Sequence, residues 1–152
     1  MMEENKKFVY VHNGYDTPFY YKYGKLSNDQ SCMICFIKYQ RHKKSPKVAS
    51  IDYFVSFAIA NKKKHLLNYM FSKEGYNICL KETGNAGFEG LIWAYKQIKE
   101  FEDVPYAPFN IIVMGEDARR FRIYEHFLKR EGYKKISHPI WGWCLRKTIY
   151  KN

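Results

Sequence analysis

No run in the 152-residue chain approaches the roughly 20 consecutive apolar residues that a membrane helix needs, so no transmembrane span is expected. No apolar stretch follows the charged opening Met1–Lys7 either, which excludes the pattern of a secretory signal and makes a cytosolic address the expectation. Internal repeats, low-complexity tracts and Pro/Gly-rich linkers are lacking. A single domain over residues 1–152 follows, long enough to bury a core. Metal-ligand patterning is also thin. Of four cysteines, Cys32 and Cys35 have C-x-x-C spacing, but they lie in an apolar run that reads as a strand. Positions three apart on a strand point to opposite faces. No second pair or twin histidine completes a tetrahedral set, so no metal is expected.

Acid is scarce relative to base: 15 Asp and Glu stand against 26 Lys and Arg, a formal net charge of +11. Such a surface attracts polyanions. The early basic clusters are Lys38, Arg41, Lys43, Lys44 and Lys47, then Lys62, Lys63 and Lys64. Nucleic acid is a partner they would suit. Solvated loops between strands explain the same residues and are favoured. What the chain has in quantity is aromatic surface, with 14 Tyr, 11 Phe and 3 Trp, a load that argues against disorder.

Periodicity sets out the elements. Lys7–Val11 reads as a short strand, broken at Asn13, Gly14, Asp16 and Pro18. Pro18–Lys25 is ambiguous, with a short helix or irregular segment as its reading. Cys32–Gln40 and Ser50–Ala60 read as strands, separated by a turn at Lys43–Lys47. Asn61–Lys64 turns the chain into two further strands, His65–Ser72 and Tyr76–Lys81, joined at Lys73-Glu74-Gly75 as a hairpin. After the small-residue loop Thr83–Gly87, the residues Phe88, Leu91, Ile92, Tyr95, Ile98 and Phe101 carry a helical period, closed by Pro105 and Pro108. Asn110–Met114 is a short buried strand. A second helix runs from an N-cap at Asp117 to about Glu131, with Gly132 as its stop. Tyr133–Ser137 and Trp141–Tyr150 form a closing hairpin.

The order strand, Gly-rich loop, helix, strand, helix, hairpin over Tyr76–Lys151 resembles the acyl-CoA-binding core of the GCN5-related N-acetyltransferases. The loop Lys81-Glu82-Thr83-Gly84-Asn85-Ala86 is similar in spacing to that family's Q/R-x-x-G-x-G/A, with Lys in first place. The segment from Arg119 through Tyr124 to Gly132-Tyr133 is similar to its second helix. The resemblance is greatest to short proteins of this kind carried by bacteriophages. It implies an α+β fold with a central mixed sheet of about six or seven strands and helices packed on its faces. It also implies Tyr76–Lys81 parallel to Asn110–Met114, with residues 1–75 adding N-terminal strands and basic loops.

The same resemblance implies acetyl-CoA or another acyl-CoA as cosubstrate. Its pyrophosphate would be held by Lys81, Gly84, Asn85, Ala86 and Gly87, with Arg119 and Arg120 nearby. Backbone N–H groups at a helix start suit that role. The acceptor is an amine, on a small molecule or a protein lysine. In the family a tyrosine near the end of the second helix protonates the departing thiolate. Tyr124 is the candidate here, one turn before the usual place, which Leu128 occupies. Asp52 and His65 are candidates for taking the amine's proton. The resemblance thus yields an N-acyltransferase working by direct attack on the thioester. The alternative is a non-catalytic protein on the same fold, which binds a host protein, a virion component or nucleic acid.

Overall fold

The computed structural model describes residues 7–12, 17–40, 50–62, 64, 66, 87–114, 118–138 and 142–150. Seven strands form one mixed sheet: β1 (Val9–Val11), β2 (Phe19–Lys25), β3 (Ser31–Gln40), β4 (Ile51–Ala60), β5 (Phe109–Met114), β6 (Lys134–His138) and β7 (Gly142–Ile149). Their order across the sheet is β1-β2-β3-β4-β5-β7-β6. All neighbours are antiparallel except β4 and β5, which run parallel. Among the described residues, two longer helices come after β4 and β5 respectively: α1 (Gly87–Phe101) and α2 (Ala118–Leu128), the latter extended by a 3-10 turn over Lys129–Glu131. No described helix is long and apolar enough to cross a membrane.

Strand alternation sorts the core onto two faces. Ile34, Phe36, Tyr53, Phe109, Ile111, Val113, Leu145 and Ile149 project to the face covered by both helices, where they meet Ala94, Ile98 and Phe101 of α1 and Tyr124 and Leu128 of α2. The Phe101 ring lies flat on Phe36 at 3.8 Å and edge-on to Tyr53 at 5.1 Å. The opposite face carries Phe19, Tyr23, Met33, Cys35, Ala58 and Ala60, with Leu66 fully buried against them. Cys32 and Cys35 therefore sit in separate clusters, on opposite faces of the sheet.

Three expectations change. The ambiguous segment before Lys25 is β2, paired residue by residue with β3. Its apolar alternation is interrupted because Lys22 points inward, where its ammonium meets Glu100 of α1 at 2.8 Å and the Phe8 ring at 5.0 Å. The parallel neighbour of Asn110–Met114 is Ile51–Ala60, not Tyr76–Lys81; β4 and β7 occupy the two sides of β5. The crossover is accordingly longer than the hairpin reading supposed. Lys64 and Leu66 have helical backbone, so Leu66 is not part of the expected strand. The rest of that expected hairpin lies outside the described residues, as do the turn at Lys43–Lys47 and the cap at Asp117.

Gly132 ends the second helix as its sequence suggests. It takes φ +92°, a left-handed geometry that glycine adopts without strain. The N–H of Tyr133 then donates back to the Leu128 carbonyl at 3.2 Å.

Candidate functional site

The parallel β4–β5 pair is short. Its register begins at Asp52–Asn110 and stops at Val55–Val113. The ladder of β4 with β3 continues to Ala60, whereas β5 ends at Met114. The ladder between the two strands thus ends at Val55–Val113, one residue before the carboxyl end of β5. In open α/β sheets, that is where ligands enter.

Both helices start at this end. In α1, Phe101 touches Tyr53 and Phe109 near the strand starts, while Trp93 lies over Phe57, further along β4. The helix therefore runs opposite to β4, with Gly87 beyond that end. In α2, Phe121 is 5.7 Å from the ammonium of Lys135, which is level with Leu145 and Val113. Its far end reaches Tyr133, beside Glu102. The helices run side by side in the same direction: the Tyr95 ring lies 5.7 Å from Phe127, and Lys99 bridges Glu131 at 2.9 Å. That constant offset brings Gly87 level with Arg119. Two helix starts, each carrying the partial positive charge of a helix N-terminus, thus lie side by side at the end where the β4–β5 ladder stops.

Glu89, in the first turn of α1, is turned to the β2–β3 connection. It accepts from the Ser27 N–H at 2.5 Å and from the Ser27 hydroxyl. Those bonds hold its carboxyl below the ordinary range. The acid is therefore tied to Ser27.

Of the cofactor-binding candidates, the backbone of Gly87, Arg119 and Arg120 is at this end, in the first turns of α1 and α2. Lys81, Gly84, Asn85 and Ala86 lie outside the described residues, as does His65. Tyr124 is turned inward from α2 with 9% exposure, on the helix-covered face beside Leu128. Asp52 is on the opposite face, because its neighbour Tyr53 belongs to the Tyr124 cluster. The two catalytic candidates are not brought together; the sheet separates them.

Asp52 belongs instead to a polar seam. The Asn110 amide donates to its carboxylate at 2.7 Å, and the Thr148 hydroxyl donates to the Asn110 carbonyl at 2.6 Å. The three residues occupy adjacent places on β4, β5 and β7 where the β4–β5 ladder begins. Cys144 lies within electrostatic range: burial raises its thiol, Arg146 lowers it and Asp52 raises it further. Sequence reading missed Asn110 as a partner, although an amide inside the apolar strand FNIIVM was a visible signal. Among the described residues, no three His, Cys, Asp or Glu side chains converge as a metal site. Compared with known proteins, the chain matches no family model, no curated protein and no solved structure.

Proposed function

We propose that the chain is an acyl-CoA-dependent N-acyltransferase of the GCN5-related type. The observation that carries this reading is the parallel β4–β5 pair, whose ladder ends at Val55–Val113 on the side where α1 and α2 both begin. The pyrophosphate of the cosubstrate sits at the first turn of α1, where small residues from Gly84 to Gly87 allow close approach to backbone N–H groups. The acyl thioester reaches to the end of that ladder. An amine attacks its carbonyl carbon and gives up a proton to solvent water, the C–S bond breaks, and the thiolate leaves and is protonated. Tyr124 supplies that proton in this reading. Its helix starts at the same end, and its hydroxyl-bearing face carries Phe121 and Leu128.

Titration calorimetry with acetyl-CoA tests the cosubstrate, and thiol release across a panel of amines tests transfer. The expectation is saturable binding that Gly84→Phe abolishes. Tyr124→Phe should slow transfer by about 10²-fold or more with little change in affinity. Absence of any heat with acetyl-CoA or CoA overturns the reading.

One observation favours a non-catalytic protein on this fold. Tyr124 lies among core residues and Asp52 is engaged with Asn110, so packing alone accounts for both. Acetyl-CoA binding without turnover on any amine selects that second reading.

A further inference from the structure

A strongly basic surface runs from the start of α2 along its outer face. Between Ala118 and Tyr150 fall nine of the 26 Lys and Arg residues but only two of the 15 acids. The outer face of α2 holds a recess of about 490 Å³ lined by Arg122, Glu125, His126, Lys129 and Arg130. Arg122, His126 and Arg130 recur every fourth residue, about 6 Å apart along a helix axis. They form a row, with Lys129 beside it. Arginine's planar fork suits phosphate oxygens better than an ammonium does.

The row borders an aromatic platform. Trp143 is 61% exposed on β7. The Lys135 ammonium from edge strand β6 lies 5.1 Å from the Trp143 ring and 5.7 Å from Phe121, at the start of α2. A cation held between two rings fixes the indole beside the basic row. Arginines to follow a phosphate backbone and an exposed ring to stack a base are the two elements of single-strand recognition.

We propose that the outer face of α2, with Lys135 and Trp143, binds single-stranded nucleic acid. The inference is independent of acyl transfer. It also differs from a polyanion site on the early lysines, since Lys62 and Lys64 follow β4, which is two strands away from β7 in the sheet. An acidic protein would engage the charge but leave the indole without a partner. A duplex keeps its bases stacked and unavailable to Trp143.

The test is fluorescence anisotropy of the full chain with labelled oligothymidylate of about 20 nucleotides. Four cations meeting four phosphates give a salt slope near −3, so affinity should fall roughly 50-fold between about 50 and about 200 mM salt. Arg122→Glu with Arg130→Glu should weaken binding at least about tenfold and lower that slope by about 1.4. Trp143→Ala should cost about 5-fold or more for oligothymidylate and leave poly-glutamate binding unchanged. Lys62→Glu with Lys64→Glu is the control and should retain most of the affinity. Circular dichroism confirms that each variant is folded. The proposal is overturned by no binding at about 50 mM salt, by equal affinity for duplex or poly-glutamate, by an inert Trp143→Ala, or by losses confined to the Lys62/Lys64 variant.

Discussion

Single side chains join the two helices at the end away from their starts. Glu102, just past α1, accepts from Lys147 at 2.8 Å, from the Tyr133 hydroxyl at 3.1 Å and from Lys99 at 3.2 Å. Its side chain is only 11% exposed. Burial and then the Glu102 charge push the Tyr133 hydroxyl well above the ordinary phenol range, so this hydroxyl stays a donor. Lys99 is half-buried, which works against its charge, but bonds to Glu131 and Glu102 outweigh that and raise it overall. Glu102→Ala removes the acceptor from a buried phenol and an inward lysine. It should cost about 2–4 kcal/mol in urea unfolding. Glu102→Gln, which keeps an acceptor oxygen, should cost less. Equal losses in the two variants would assign the effect to charge alone.

At the scale of elements, β2 gives up its side chain at Gly24 to make room for the Trp93 indole of α1. A Cβ at Gly24 would come 2.6 Å from three atoms of the Trp93 indole. The indole N–H is buried and without a hydrogen-bond partner among the described residues, so packing holds the ring in place. Gly24→Ala should therefore destabilise by about 1–3 kcal/mol. Adding Trp93→Leu should recover part of that loss, and strict additivity of the two changes would argue against the contact. This contact also shows why some of the fold was legible in the sequence and some was not. Helix α1 and strand β5 follow from periodicity and an apolar run, which are local. The strand character of Phe19–Lys25 was hidden because its inward positions include Lys22 and Gly24. They are tolerated by Glu100 and Trp93, about 70 residues away in the chain. The parallel partner of β5 was misjudged for the same reason, since strand pairing is a property of the sheet. Of the candidate site, the helix starts were legible. The opposite facing of Asp52 and Tyr124 was not, because it depends on which side of the sheet the helices cover.

For the whole molecule, the buried phenols and thiols set an alkaline limit. Burial pushes the Cys35 thiol from 9.0 up to about 12 and Tyr23 from 10.0 up to about 12. Below about pH 9 the folded and unfolded chains both hold these protons, and the contribution is fully present. As the pH rises toward 12 the unfolded chain releases them first, so stability falls across that window. Urea midpoints should be flat near neutrality. By about pH 10.5 they should correspond to a loss on the order of 2 kcal/mol. A midpoint unchanged at that pH would mean the thiol and phenols ionise in place.

The ties among Glu102, Glu131, Lys99, Lys147, Tyr95 and Tyr133 all lie at one end of the helix pair. That arrangement makes a pivot. Fastened there, α2 swings most at its start, while α1 is held a second time by the Glu89–Ser27 bonds in its first turn, so a guest against the sheet forces a small rotation of α2 instead of a wholesale repacking. Hydrogen exchange should record it as a gradient along α2, with amides slowest around Leu128 and quickening toward Phe121, and a flatter profile along α1. Uniform protection along α2 would remove the pivot. A guest that stiffens the start of α2 should flatten the gradient from the fast side.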